Sequence, residues 1–202
     1  MLPVAFPLPT AMKSRPLLLL LLLPLLGMKK CESEPEPVFT LPAVTQSGAN
    51  TCGFEVDGRV WITYGVTCYY GAGGCAANKL LAGYGTRNRA FYLNTWLTTP
   101  KRRESFSLRF DSLKRIGTYQ LNADLVPQTS IRAVRSLIFT DESEAVKGYY
   151  NLPQKGGKAS ITITKLDTVQ RIVAGTFGGT FQQSLDTTKQ VRITAGRFDV
   201  KY

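Results

Sequence analysis

Ala159-Ser160-Ile161-Thr162-Ile163-Thr164-Lys165-Leu166-Asp167 alternates apolar and polar residues. Successive side chains on a strand point to opposite faces, so this stretch reads as a strand with one buried and one wet face. Ile172 to Phe181 repeats the pattern, interrupted at Gly178-Gly179, where a bulge or bend is expected. Gln190 to Tyr202 repeats it through Val191, Ile193 and Phe198, with Gly196 as a second expected bulge. Three alternating strands close the chain, and the reading extends backward from them.

Ser105-Phe106-Ser107-Leu108-Arg109-Phe110 alternates in the same way. Ala90–Leu97, Gly117–Leu121, Ile131–Thr140 and Val146–Leu152 are expected strands, with Phe91, Leu93 and Trp96 packing in the first. Phe54 and Val56, then Asp57-Gly58, then Val60 and Ile62 spell a hairpin, because Asp-Gly suits the positive φ angles of a type I′ turn. Residues 64–86 hold six glycines and are expected to be irregular, with Lys79-Leu80-Leu81 as a short turn. Turns fall at short intervals, and no long segment has a helical period. The fold class is therefore all-β, an antiparallel β-sandwich, with an open or closed β-barrel as the alternative.

The front of the chain sets the compartment. Met12-Lys13-Ser14-Arg15 precedes a leucine run to Leu26. That run is shorter than the about 20 apolar residues of a membrane-spanning helix and fits the h-region of an export signal. Residues 1–30 are assigned to the signal, with Met12 as the better translation start. Cys31 follows, then Glu32-Ser33-Glu34-Pro35-Glu36-Pro37. A cysteine with an acidic, proline-rich follower reads as a lipidation site and tether, so Cys31 is the expected anchor. Residues 31–50 are expected to stay extended and unpacked, and residues 51–202 to form one domain. Lys29 and Lys30 stand where lipoprotein signals carry small residues. Ordinary cleavage near Gly27, giving a soluble periplasmic or secreted protein, is the alternative.

Of 202 residues, 25 are Lys or Arg, 14 are Asp or Glu, and none is histidine. From Cys31 onward, 21 basic and 14 acidic residues leave a charge of +7. The excess gathers between Arg87 and Arg115, with Arg87, Arg89, Lys101, Arg102 and Arg103 as a candidate basic patch. In an exported protein such a patch would meet anionic glycans or lipid headgroups, not nucleic acid; a solvated strand face and charged turn is the favoured explanation.

The lack of histidine removes Ser-His and Cys-His nucleophilic sites and most transition-metal sites. No metal site and no cofactor are expected: the cysteine spacings match no zinc motif, Asp141, Glu142 and Glu144 match no EF-hand loop, and Gly71-Ala72-Gly73-Gly74 lacks the P-loop lysine. Glu55 and Asp57 are the one carboxylate pair suited to glycoside hydrolysis, although the hairpin accounts for both. No catalytic residue is assigned. With Cys31 lipidated, Cys52, Cys68 and Cys75 remain as disulfide candidates: Cys68 with Cys75 across a glycine-rich loop, or Cys52 with either. In the aromatic zone from Trp61 to Trp96, Tyr69, Tyr70, Tyr84 and Trp96 are the candidate ligand contacts.

Thr45-Gln46-Ser47-Gly48-Ala49-Asn50-Thr51, then Val56-Asp57-Gly58-Arg59-Val60-Trp61, then Ile163-Thr164-Lys165-Leu166-Asp167, Gly175-Thr176-Phe177 and Ile193-Thr194-Ala195-Gly196-Arg197-Phe198-Asp199-Val200 resemble the two ends of small exported lipoproteins of Bacteroidetes bacteria. Relatives read Phe-Gly-Cys where this chain has Cys52-Gly53-Phe54, a swap that keeps both side chains on one strand face. The resemblance implies an anchored all-β domain in the envelope and no known activity. The acidic run after Cys31 also resembles the surface-export tags of such lipoproteins. The expected function is therefore a membrane-anchored envelope or surface protein that is not an enzyme. Its expected partners are the membrane through the lipid, and an anionic glycan, another envelope protein or host material. A glycan-active hydrolase is the competing class. Nothing in the sequence fixes an oligomeric state.

Overall fold

The computed structural model describes residues 35–68, 74–122, 135–143, 148–152 and 158–202. The signal segment, Cys31, Tyr69, Tyr70, Glu144, Val146 and residues 131–134 lie outside the described residues. Among those described, every regular element is a strand: β1 Thr51–Val56, β2 Arg59–Ile62, β3 Val66–Cys68, β4 Cys75–Ala77, β5 Leu80–Tyr84, β6 Phe91–Thr98, β7 Arg103–Phe110, β8 Gly117–Asn122, β9 Arg135–Asp141, β10 Gly148–Asn151, β11 Lys158–Asp167, β12 Ile172–Gln183 and β13 Gln190–Lys201.

Eleven strands form one antiparallel sheet, in the order β2-β1-β13-β12-β10-β9-β7-β6-β5. β12 is long enough to divide its second edge. Its first half pairs with β11, which carries β8, and its last residues pair with β10. The sheet curls until its two arms face each other. Phe54 of β1 lies 5.0 Å from Phe106 of β7, and Phe106 stacks on Phe177 of β12 at 4.7 Å. Trp61 of β2 stacks on Phe54 at 4.6 Å. These rings are buried and form the centre of the core, each contributing about 1.5–3 kcal/mol by leaving water. The arms also meet at their edges. Tyr64, just after β2, donates its N–H to Trp96 O and accepts from Thr98 N, making a parallel bridge to β6. Facing arms suit the description of a sandwich, and the continuous strand path suits that of a barrel.

Alternation places the core as the sequence dictates. Phe91, Leu93, Thr95 and Leu97 point inward on β6, and Phe106, Leu108 and Phe110 on β7. Trp96 takes the outer face of β6, not the core. The Asp57-Gly58 turn has φ of 49° and 79°, as a type I′ hairpin requires. Near Gly196 the chain bulges: Ala195 adopts φ 51°, and β1 and β12 both change register against β13 there, the latter between Phe177 and Gly179.

Two expectations are corrected. The described residues among 64–86 are not irregular: β3 and β4 make a small separate hairpin, and Leu80-Leu81 open β5 instead of forming a turn. Gly65 permits this, since it has φ 83° and any Cβ there would run into Thr98 O. Residues 35–50 are not an unpacked tether. They cross the outside of the sheet as a strap, and the compact unit begins at Pro35 instead of Thr51.

The strap is pinned at both ends. Glu36 accepts hydrogen bonds from Thr99 Oγ1, Lys101 N and Arg102 Nε on the β6–β7 turn. At the other end, the buried Asp199 carboxylate accepts from Thr45 Oγ1 at 2.6 Å, Ser47 N at 2.9 Å, Gly48 N at 2.8 Å and Ala49 N at 3.2 Å. Burial alone would raise the Asp199 pKa, but these donors outweigh it and hold the carboxyl below its ordinary value. In between, Arg197 donates to Pro42 O, and Pro42 sits so close to β1 that a Cβ on Gly53 would lie 2.6 Å from its Cδ.

Candidate functional site

The outer face of β6 and β7 carries the candidate site. Trp96 and Thr98 project from β6, and Ser105 from β7, where it pairs across the strands with Trp96. The β3–β4 hairpin lies over this face, with Thr67 Oγ1 3.4 Å from Thr98 Oγ1. Cys68 and Cys75 close the hairpin with a disulfide, which selects one of the pairings the sequence left open. Cys52 is a buried free thiol, and burial pushes its pKa up.

Between hairpin and sheet is a cleft of about 400 Å³ lined by Val66, Thr67, Trp96, Arg103, Ser105 and Glu142, together with Cys68, Thr98 and Glu104. A second depression of about 430 Å³ adjoins it and shares Arg103 and Glu142. Tyr149, Ser184 and Leu185 line its far side, and Tyr149 is 64% exposed. The two form one groove with Trp96 on one wall and Tyr149 on the other. Lys79 Nζ lies 5.4 Å from the Trp96 ring centroid.

Glu104 borders the first cleft but turns its side chain to the inner face, in phase with Phe106 and Leu108. Its residue is buried, and its carboxylate makes a two-point contact with Arg59: Nη2–Oε1 at 2.8 Å and Nη1–Oε2 at 3.2 Å. Burial raises its pKa, and Arg59 opposes that rise without cancelling it. Glu142 is exposed, and its backbone N–H donates to Arg103 O. Aromatic faces, hydroxyls, a guanidinium and the Glu142 carboxylate in one groove suit a polar, ring-shaped ligand such as a sugar.

The sequence candidates divide. Trp96 and Arg103 line the groove. Lys101 is exposed on the turn beside it, and Arg102 is committed to Glu36 at 3.2 Å and to the Phe39 ring. Arg87 and Arg89 sit on the β5–β6 loop at the other end of β6. Eight residues of strand, about 26 Å, separate them from Lys101–Arg103. The basic patch is thus two clusters on opposite rims. Tyr84 also belongs to the far rim, where its hydroxyl donates to Leu113 O and its ring meets Tyr202. Tyr69 and Tyr70 lie outside the described residues, as does Cys31.

Glu55 accepts from Thr194 Oγ1, and Asp57 accepts from Arg192 N, so the carboxylate pair picked from the sequence serves the β1–β13 seam. Sequence reasoning missed Glu104 and Tyr149, and weighed Glu142 only as a calcium ligand. Glu104 had a signal: it falls in phase with Phe106 and Leu108, which makes it an inward-pointing carboxylate. Glu142 and Tyr149 had none, because they reach the groove only through the pairing of β9 with β7 and β10.

Among the described residues, no three His, Cys, Asp or Glu side chains form a group that could hold a metal ion, and no helix is long and apolar enough to cross a membrane. Compared with known proteins, the chain matches no family model, no curated protein and no solved structure.

Proposed function

We propose that this chain is an exported lipoprotein of the bacterial envelope or cell surface, held to a membrane through acylated Cys31, whose β-domain binds a ligand and does not catalyse. The signal segment and the cysteine with its acidic follower support the anchor. The groove supports the binding role, and it is the observation that carries this reading: Trp96 and Tyr149 flank a polar centre of Arg103, Ser105 and Glu142. A glycan is the favoured ligand, its ring faces on the aromatics and its hydroxyls on the polar centre. Another envelope protein would use the same surface.

The test is calorimetric titration of the mature chain with a panel of neutral and acidic oligosaccharides, repeated with Trp96→Ala and Tyr149→Ala. Saturable binding lost by about tenfold or more in Trp96→Ala, with the melting temperature kept, supports the reading. Binding indifferent to both substitutions overturns it.

A hydrolase is the second reading, favoured by the exposed Glu142 in the groove. Release of reducing sugar that disappears in Glu142→Gln would establish it in place of the binding role.

A further inference from the structure

The rim opposite the groove gathers a second basic surface that the sequence scatters. Arg87 and Arg89 lie on the β5–β6 loop, and Lys114 and Arg115 on the β7–β8 loop; all four are exposed. The two loops are locked together. Leu113 N donates to Arg89 O at 2.8 Å, and the buried Leu113 side chain fixes its loop from below. Tyr84 Oη donates to Leu113 O, and Tyr119 Oη donates to Arg115 O at 2.7 Å. Residues 27 positions apart, Arg87 and Lys114, therefore belong to one surface. Arg109 borders it and is paired with Asp111 at 3.2 Å. Among the described residues, no carboxylate lies within ion-pair distance of Arg87, Arg89, Lys114 or Arg115.

Like charges held this close by fixed loops repel one another, and a polyanion relieves that repulsion while releasing its own counterions. Three of the four are arginines, whose planar forks match carboxylate and sulfate oxygens. We infer that this rim is a docking surface for an acidic polysaccharide, one bearing carboxylate or sulfate groups. The source follows from the strap, and here the inference rests on the proposed anchoring. The strap starts on the groove rim, where Glu36 holds the β6–β7 turn. Cys31 stands only five positions before Glu36 in the sequence. The basic rim is at the end of β6 far from the Glu36 contact, which on the proposed anchoring favours glycans over lipid headgroups as the source.

The test uses the purified mature chain in solution, so it does not depend on the anchor. Binding to polygalacturonate, heparin, neutral dextran and phosphatidylglycerol vesicles is measured from about 50 to 200 mM salt. The expected result is saturable binding to one or both acidic polysaccharides, none to dextran, and at least about tenfold weakening over that salt range. Arg87→Glu with Lys114→Glu weakens binding about tenfold or more. Lys101→Glu with Arg192→Glu, two exposed residues that line neither depression, changes it less than about twofold. Melting curves confirm that both variants fold. Equal loss from the two pairs, no binding to either acidic polysaccharide, or tighter binding to the vesicles than to both polysaccharides overturns the assignment.

Discussion

Thr45 Oγ1 donates to Asp199 Oδ2 at 2.6 Å across 154 residues of sequence. The same carboxylate takes three further backbone N–H groups of the strap, and Asn50 Oδ1 answers from the other side by accepting from Lys201 N. The Thr45–Asn50 stretch at the start of the domain and the Asp199–Lys201 stretch at its end are thus the two halves of one clasp. That gives those residues a structural job that needs no ligand.

Asp199→Asn should cost about 2–3 kcal/mol, because a carboxylate receiving several donors is replaced by an amide that accepts at one atom and presents N–H groups at the other. Thr45→Ala removes one donor and should cost about 1 kcal/mol. For a domain of this size these correspond to falls in melting temperature of about 4–12 °C and 2–4 °C. Differential scanning calorimetry at neutral pH measures both.

The clasp has a pH signature. Asp199 has a lowered folded pKa, so its contribution is present above the unfolded value of 3.8 and is lost as pH falls through the folded pKa. The stability gap between wild type and Asp199→Asn should therefore be widest near neutrality and narrow in acid. Glu104 has the opposite sign: its pKa is raised, so its ionisation lowers stability as pH climbs from its ordinary value of 4.5 through the folded pKa. Arg59→Met should make that decline steeper, because it leaves the buried carboxylate without its partner. Urea melts from pH 3 to 8 resolve both trends.

Gly53→Ala should lift the strap. Its new Cβ would meet Pro42 at 2.6 Å, on a β1 strand held between two neighbours that cannot yield. The expected outcome is limited proteolysis within residues 35–50 at a rate well above wild type, while the core β-sheet circular dichroism persists. Unchanged proteolysis would mean that the strap does not depend on this contact.

The cysteines should separate by chemistry. Cys52 is 2% exposed with its pKa pushed up, so it should resist alkylation in the native state and react once unfolded. Cys68→Ser with Cys75→Ser should lower the melting temperature only modestly, since β3–β4 stands outside the main sheet, yet weaken ligand binding in the groove it walls. Loss of the whole fold in that variant would contradict the placement of the hairpin.

The strands were legible wherever one face is wet and the other dry, as in Phe106–Phe110 and Ser160–Ile163, because period-two patterning records burial directly. The type I′ hairpin was legible because Asp57-Gly58 states its own backbone angles. The strap was not. Pro42, Gly48 and Asn50 have the composition of a linker, and what holds them is a carboxylate near the other end of the chain. The disulfide was visible only as one option among several, since loop flexibility permits Cys68–Cys75 without requiring it. The groove escaped for a similar reason. Trp96 was readable both as a packing residue and as a ligand contact, and nothing in the sequence brings it beside Glu142 after β9 or Tyr149 on β10. The basic stretch misled by proximity in sequence: Arg89 and Lys101 stand at opposite ends of one strand, while Arg89 and Lys114 are neighbours.

The central claim is a membrane-anchored binding domain, and mass spectrometry of the native protein from its membrane fraction tests it most directly. The account predicts a mature chain that starts at Cys31 with acyl mass on that residue, a Cys68–Cys75 crosslink in the digest, and Cys52 as a free thiol. A chain that starts elsewhere, with Cys31 unmodified, would contradict the anchor and would place the protein in the periplasm or medium.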